Sequence, residues 1–149
     1  MSVIFSDNAK LVWELELNKK YDFNFKLFNN NDFTAPCASG SNNYDSMIIC
    51  PCSTGTLSRI ANGISSDLIS RTADVMLKEQ RKLILVVRET PYNIIHIENM
   101  LKLAKAGAII YPASPYFYNK PKTIHTLINQ FVLRLLNKID IPVNFDKWK

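Results

Sequence analysis

Four glycines, two histidines and three cysteines are all that 149 residues supply of those types, and each shortage removes a class of protein. So little glycine excludes a collagen-like or low-complexity chain. Cys37, Cys50 and Cys52 make an odd count, too few for a disulfide scaffold. Cys50-x-Cys52 has the spacing of half a metal site. Its only soft company is one distant cysteine and the isolated His96 and His125, so no metal is expected. A membrane-spanning run of roughly 18 apolar residues is missing, as is a secretory signal, which predicts a reducing, cytoplasmic location and no membrane partner. The formal charge is only +5, from 18 Lys and Arg against 13 Asp and Glu. The lysines are dispersed and no binding motif accompanies them, so nucleic acid is not the expected partner. An anionic small molecule suits the charge, as does solubility alone.

What the chain does have is a core. An apolar fraction of 47% over this length predicts one domain, residues 1–149. Val3 to Phe5 reads as a strand, with Ser6 capping a helix over Asp7 to Leu17. Asn18 to Tyr44 is polar and aperiodic, a long excursion holding at most one short strand. A strand-helix rhythm then sets in. Met47 to Cys50 is a strand, Thr56 to Lys78 one or two helices, and Leu83 to Val87 a strand. Asn93 to Lys105 is a helix closed by Gly107, Ala108 to Tyr111 a strand, and Thr123 to Ile139 the last helix, with one apolar stripe from Ile124 to Ile139. Continuous apolar strands alternating with amphipathic helices predict an α/β fold whose parallel sheet is covered on both faces.

In such sheets ligands bind beyond the carboxyl ends of the strands. Those ends are Ser6; "PCSTGT", Pro51 to Thr56; "RETP", Arg88 to Pro91; and "PASPYFY", Pro112 to Tyr118. Helix N-termini with unpaired N–H groups, and an arginine with a forked donor set, fit phosphate. Any one of these residues has an ordinary explanation as a cap or a strand end. Four strand ends together point to a site.

The same residues resemble a known family. "PCSTGTLSRIANGISSDLISRTADVMLKEQRKLILVVRETP" followed by "HIENMLKLAKAGAIIYPASPYFYNKPKTI" is similar to the flavin prenyltransferases of the UbiX family, from about Ser6 to Trp148. The resemblance implies a Rossmann-like or flavodoxin-like three-layer subunit and a homododecamer with active sites at subunit junctions. It also implies transfer of dimethylallyl from dimethylallyl monophosphate to reduced FMN, with no metal. The prenylated FMN so made would serve a partner decarboxylase acting on aromatic acids or a ubiquinone precursor.

Carried over by position, Ser6, Ser53, Thr54, Gly55, Thr56 and Arg88 would bind FMN, and Tyr118 and Arg134 the dimethylallyl phosphate. Glu89, Lys78 and Glu16 would line the phosphate and proton-transfer side as catalytic residues, with Trp148 an aromatic near the site. Fixed cations beside a departing phosphate lower the barrier to breaking an allylic C–O bond. A carboxylate such as Glu89 is suited to move a proton. Each also has a plainer reading: Lys78 favours a helix C-terminus, Glu89 is placed to pair with Arg88, Glu16 is a solvated helix residue, and Tyr118 and Trp148 are rim packing.

The chain departs from the pattern at its start. The family opens with a strand and a G-x-S/T-G-A turn, whereas "MSVIFSDNAK" aligns with the second strand and the helix after it. The expectation is an N-terminally truncated sheet in which Val3 to Phe5 and Met47 to Cys50 have lost a shared neighbour. Two other functions remain in view: an FMN-dependent cysteine-type decarboxylase homologue, and an inactive truncated subunit that only binds flavin. The first is disfavoured by "YPASPYFYNKP", which stands where those enzymes carry a P-A-S-A-N-S type motif.

Overall fold

A computed structural model describes residues 1–18 and 24–145. The elements are β1 (Ser2–Phe5), α1 (Asp7–Leu17), β2 (Lys26–Asn29), a 3-10 turn at Pro36–Ala38, β3 (Ser46–Cys52), α2 (Thr54–Ala61), α3 (Leu68–Lys78), β4 (Lys82–Val87), α4 (Ile94–Lys105), β5 (Ile109–Pro112) and α5 (Ile124–Asn137). They form two compact units, Met1–Tyr111 and Pro112–Lys149.

Local chemistry sets the helix starts. Ser6, Ser53, Asp67, Asn93 and Thr123 are N-caps whose side chains each accept a backbone N–H from the first turn of α1 to α5 in order, a contact worth about 1 kcal/mol apiece. Asp67 and Asn93 complete capping boxes with Ser70 and His96. His96 is therefore a capping residue: its Nδ1 accepts from the Asn93 N–H at 3.4 Å. At the end of α4 the C-cap is Ala106, with Gly107 one residue beyond it at φ +99°. The turn predicted at Gly107 thus begins one position earlier, and glycine takes the left-handed residue that follows.

The strands divide between two sheets, β1-β2 and β3-β4-β5. β1 pairs parallel with β2 from Ser2↔Lys26 to Phe5↔Asn29, and β3 pairs parallel with β4 from Ser46↔Lys82 to Cys52↔Val87. No ladder joins β1 to β3 among the described residues. β4 is the central strand, and Leu83 to Val87 are at most 1% exposed. Its unbroken apolar run is what burial on both faces demands. Ile49, Leu57, Ile60, Ala73, Met76 and Leu103 close the core around it. Phe28, Ala35, Cys37, Ala38 and Leu68 form a smaller cluster under the loop after β2.

The last helix forms where the sequence places it, and its apolar stripe is only partly covered. Of the apolar stripe on α5, Leu135 is buried, while Ile124, Ile128 and Val132 are exposed at 76%, 54% and 39%. Exposed apolar side chains also cluster on α1, at Leu11 and Leu15, and on α4, at Ile94, Ile97 and Leu101. The stripe is therefore wider than one chain covers.

Candidate functional site

At the carboxyl end of β3 the ladder slips between Ile49 and Cys52, and the peptide bond before Pro51 is cis. The chain then enters α2 at Ser53. Thr54 and Gly55 occupy the first two helical positions, where backbone N–H groups have no acceptor within the helix. Gly55 is exposed, and a Cβ there would meet only Arg59 Nη1 at 3.9 Å and Ser53 Oγ at 4.0 Å. Packing inside the chain does not require glycine; open approach to its amide does favour it.

The hydroxyls of this turn are wired together. Ser53 Oγ accepts from the Thr56 N–H at 3.3 Å and donates to Thr56 Oγ1 at 3.1 Å. Arg59 Nη2 donates to the same Thr56 oxygen at 3.1 Å and lies 3.5 Å from Asp67 Oδ2. Beneath the turn, burial pushes the Cys52 thiol up to about 12, against a smaller opposing pull from Arg59. Cys52 is fully buried and stays a neutral thiol at physiological pH, which removes it as a nucleophile.

β4 ends beside β3: the Arg88 N–H donates to the Cys52 carbonyl at 3.4 Å. The Arg88 side chain is exposed, and among the described residues it makes no ion pair. Glu89 does not pair with it; Glu89 Oε1 instead accepts from the Thr90 N–H at 3.0 Å. Ser53, Thr54, Gly55, Thr56, Arg88 and Glu89 thus share one end of the β3-β4 pair. Ser6 closes the corresponding end of β1, where its Oγ accepts from the Ala9 N–H at 3.1 Å.

Lys78 is elsewhere. It ends α3, pairs with Glu79, and sits against Gly40, whose added Cβ would lie 2.7 Å from Lys78 Nζ. The hydrogen bond from Lys78, and then its charge, lower the pKa of the Glu79 carboxyl. This cluster adjoins the amino end of β4, where the Arg81 guanidinium donates to the Gly40 and Asn42 carbonyls at 2.7 and 2.6 Å. Six strand residues, Lys82–Val87, separate it from Arg88, a span of about 20 Å at the rise of a parallel strand. Glu16 is an exposed residue in the last turn of α1. Trp148 lies outside the described residues.

In the second unit, Tyr118 and Arg134 are brought together through a residue the sequence did not single out. The Tyr116 ring stacks on Tyr118, with centroids 4.6 Å apart and planes at 13°, and the Arg134 guanidinium carbon lies 5.3 Å from the Tyr116 centroid. Tyr116 is anchored by its hydroxyl, which donates to the Gln130 carbonyl at 3.2 Å. No cluster of three or more His, Cys, Asp or Glu with metal-site geometry occurs among the described residues. No described helix is long and apolar enough to cross a membrane.

A donor-rich helix start and an exposed arginine beyond the carboxyl ends of parallel strands make an anion-binding rim on an α/β subunit, and residues 2–135 match the Flavoprotein family. The chain is 46% identical over 99% of its length to the flavin prenyltransferase UbiX of Methanocaldococcus jannaschii, covering 83% of that protein. It superposes on the crystal structure of AnUbiX in complex with FMN and dimethylallyl pyrophosphate with TM-score 0.88 at 42% identity, covering 98% of this chain and 82% of that one. With the dodecameric FMN-dependent UbiX-like decarboxylase from Escherichia coli the TM-score is 0.90 at 38% identity, over 98% and 82% of the two chains. The chain belongs to the UbiX family of flavin prenyltransferases.

Proposed function

We propose that this chain transfers a dimethylallyl group from dimethylallyl monophosphate to reduced FMN, making prenylated FMN for a partner decarboxylase. The observation that carries the reading is the donor set at the carboxyl end of β3 and β4. The first-turn amides of Thr54 and Gly55, the Ser53 and Thr56 hydroxyls and the exposed Arg88 answer a ligand rich in acceptors. FMN is such a ligand, with a phosphate and two ring carbonyls, so these residues fit it. Ser6, at the start of α1, is a further hydroxyl for the same cofactor.

Bound reduced FMN supplies the nucleophilic positions, N5 and then C6, that take the prenyl carbon. The protein's part is to bind, orient and neutralise. Arg134, and Tyr118 through Tyr116, hold the dimethylallyl phosphate. Arg88 and Lys78 oppose the charge that grows on the phosphate oxygens as the allylic C–O bond breaks. Glu89, with one carboxylate oxygen tied to the Thr90 amide, keeps the other oxygen for a proton. Glu16 completes the lining.

Lys78 and Arg88 stand at opposite ends of β4, so one copy cannot supply both to one phosphate. A site completed by neighbouring copies removes the difficulty, and a homododecamer like that of the E. coli neighbour is the assembly we assign. The exposed apolar faces of α1, α4 and α5 are suited to cover one another in it. The location that goes with this role is the cytoplasm.

The test is anaerobic incubation with reduced FMN and dimethylallyl monophosphate, followed by mass measurement of the released flavin. A flavin heavier by one prenyl unit, absent with Glu89→Ala and Arg134→Ala, is expected. Unchanged flavin from folded, assembled protein would sink the reading.

A further inference from the structure

The wiring at the start of α2 leaves one hydroxyl proton without a choice of direction. A threonine hydroxyl offers two lone pairs and one proton. Both lone pairs of Thr56 Oγ1 are engaged, one by the Ser53 hydroxyl at 3.1 Å and the other by Arg59 Nη2 at 3.1 Å. The proton of Thr56 therefore has only an external acceptor to meet. Arg59 Nε is buried and has no partner, so the hydrogen bond from Nη2 to Thr56 Oγ1 is what aims the guanidinium, the 3.5 Å approach to Asp67 Oδ2 being too long for a hydrogen bond to share that task. Arg59 sits in the last turn of α2, but its side chain runs back over the preceding turn, as long helical side chains do.

We infer that Arg59 is a positioning residue that fixes the polarity of the Thr56 hydroxyl, making the α2 rim donor-only and selective for acceptor atoms of the flavin. The inference rests on the FMN reading above. It concerns a residue that touches no ligand itself and acts through Thr56. Without Arg59, Thr56 gains a free lone pair and its proton can turn back toward Ser53, so the rim loses a committed donor.

A double-mutant cycle on FMN affinity tests this, read by quenching of flavin fluorescence on titration into the full chain. Thr56→Val and Arg59→Met are each expected to weaken binding about fivefold, the scale of one hydrogen bond. The double variant should bind no more weakly than Thr56→Val alone, because both changes remove the same donor. Arg59→Lys, which keeps a charged donor, should recover most of the loss. Asp67→Asn, which keeps the α3 cap and removes only the ion pair, should bind like the parent. Thermal melts of every variant establish that the comparison is between folded proteins. Parent-like binding by Arg59→Met, losses that multiply in the double variant, or a loss in Asp67→Asn equal to that in Arg59→Met would each overturn the role of Arg59 while the parent still binds FMN. A parent that binds no FMN would overturn the cofactor reading, and this inference with it.

Discussion

The two ends of the β3-β4 pair use the same residue types for opposite purposes. At the amino end cations are consumed by the fold. Arg81 donates to the Gly40 and Asn42 carbonyls, Arg71 Nε to the Ala38 carbonyl at 3.1 Å, and Lys78 pairs with Glu79. These contacts hold the loop over residues 38–42 against α3 and the start of β4. At the carboxyl end Arg88 is exposed and makes no ion pair among the described residues, and the Thr54 and Gly55 amides open α2, where the helix itself offers them no acceptor. Satisfied polar groups mark scaffold, and unsatisfied ones mark a place for something else to bind. Lys78 is the exception that gives the comparison its use: a residue implied in catalysis by the family pattern, yet sitting at the scaffold end.

The largest expected effect follows from that exception. Lys78→Ala and Arg88→Ala should each lower prenyl transfer by about a hundredfold, the usual cost of removing one group that stabilises transition-state charge. Unfolded together and reassembled as a mixture, they should recover about a quarter of parental activity if each site draws the two residues from different copies, because random placement leaves one site in four intact. No recovery would place both residues in one chain's site and break the contrast between the ends.

Stability should separate the ends in the opposite sense. Arg81→Ala removes two charge-assisted hydrogen bonds to backbone carbonyls and should cost about 2 kcal/mol in chemical denaturation. Arg88→Ala should change stability by less than about 0.5 kcal/mol, as surface substitutions away from such contacts do. A destabilised Arg88 variant would mean that its charge serves the fold after all.

Much of this architecture is legible in the sequence, for identifiable reasons. Leu83 to Val87 reads as a buried strand because the apolar run is short, rich in Ile and Val, and stopped by Arg-Glu-Thr-Pro. Ser6, Asn93 and Thr123 announce helix starts because capping is a local hydrogen bond. β2 is the one short strand expected between Asn18 and Tyr44, but its bounds are not legible, because its four residues, Lys26 to Asn29, include one buried side chain, Phe28, so no alternation shows. The break between α2 and α3 at Asn62 to Ser66 carries Gly63 at φ +68°, and one glycine in an otherwise helical pattern does not decide between one helix and two. The stripe on α5 is legible too, but an apolar stripe records what must be covered, not by which chain. For the site, positions at strand ends are readable. Arg59 and Tyr116 were missed because their importance arises from what their side chains fold back onto. The three-residue spacing of Ser53, Thr56 and Arg59 along one helix face is the signal that was available.

Tyr116→Ala is the next smaller effect. Loss of the ring removes a guanidinium-π contact and a stacked pair, interactions of about 0.5–1 kcal/mol each at exposed sites. The KM for dimethylallyl monophosphate should rise about fivefold, with FMN affinity unchanged. Tyr116→Phe, which keeps the ring and loses the anchor to the Gln130 carbonyl, should fall between the two. Equal FMN weakening in both variants would assign Tyr116 to folding of the second unit and remove it from the site.

The smallest effect returns to the amino end. A Cβ on Gly40 would collide with Glu79 Oε1 and lie 2.7 Å from Lys78 Nζ. Both atoms are far ends of flexible side chains, and the backbone there is not left-handed, so Gly40→Ala should change the melting midpoint by no more than a degree or two. The Lys78–Glu79 pair must nevertheless turn away from the loop. If Lys78 reaches into a neighbouring copy's site from this position, its displacement should reduce prenyl transfer about threefold, since catalytic cations act over short, fixed distances. An unchanged rate in a folded Gly40→Ala variant would mean that Lys78 adopts its working position independently of this loop. The amino end of the sheet would then be scaffold alone, and the contrast with the carboxyl end would become sharper.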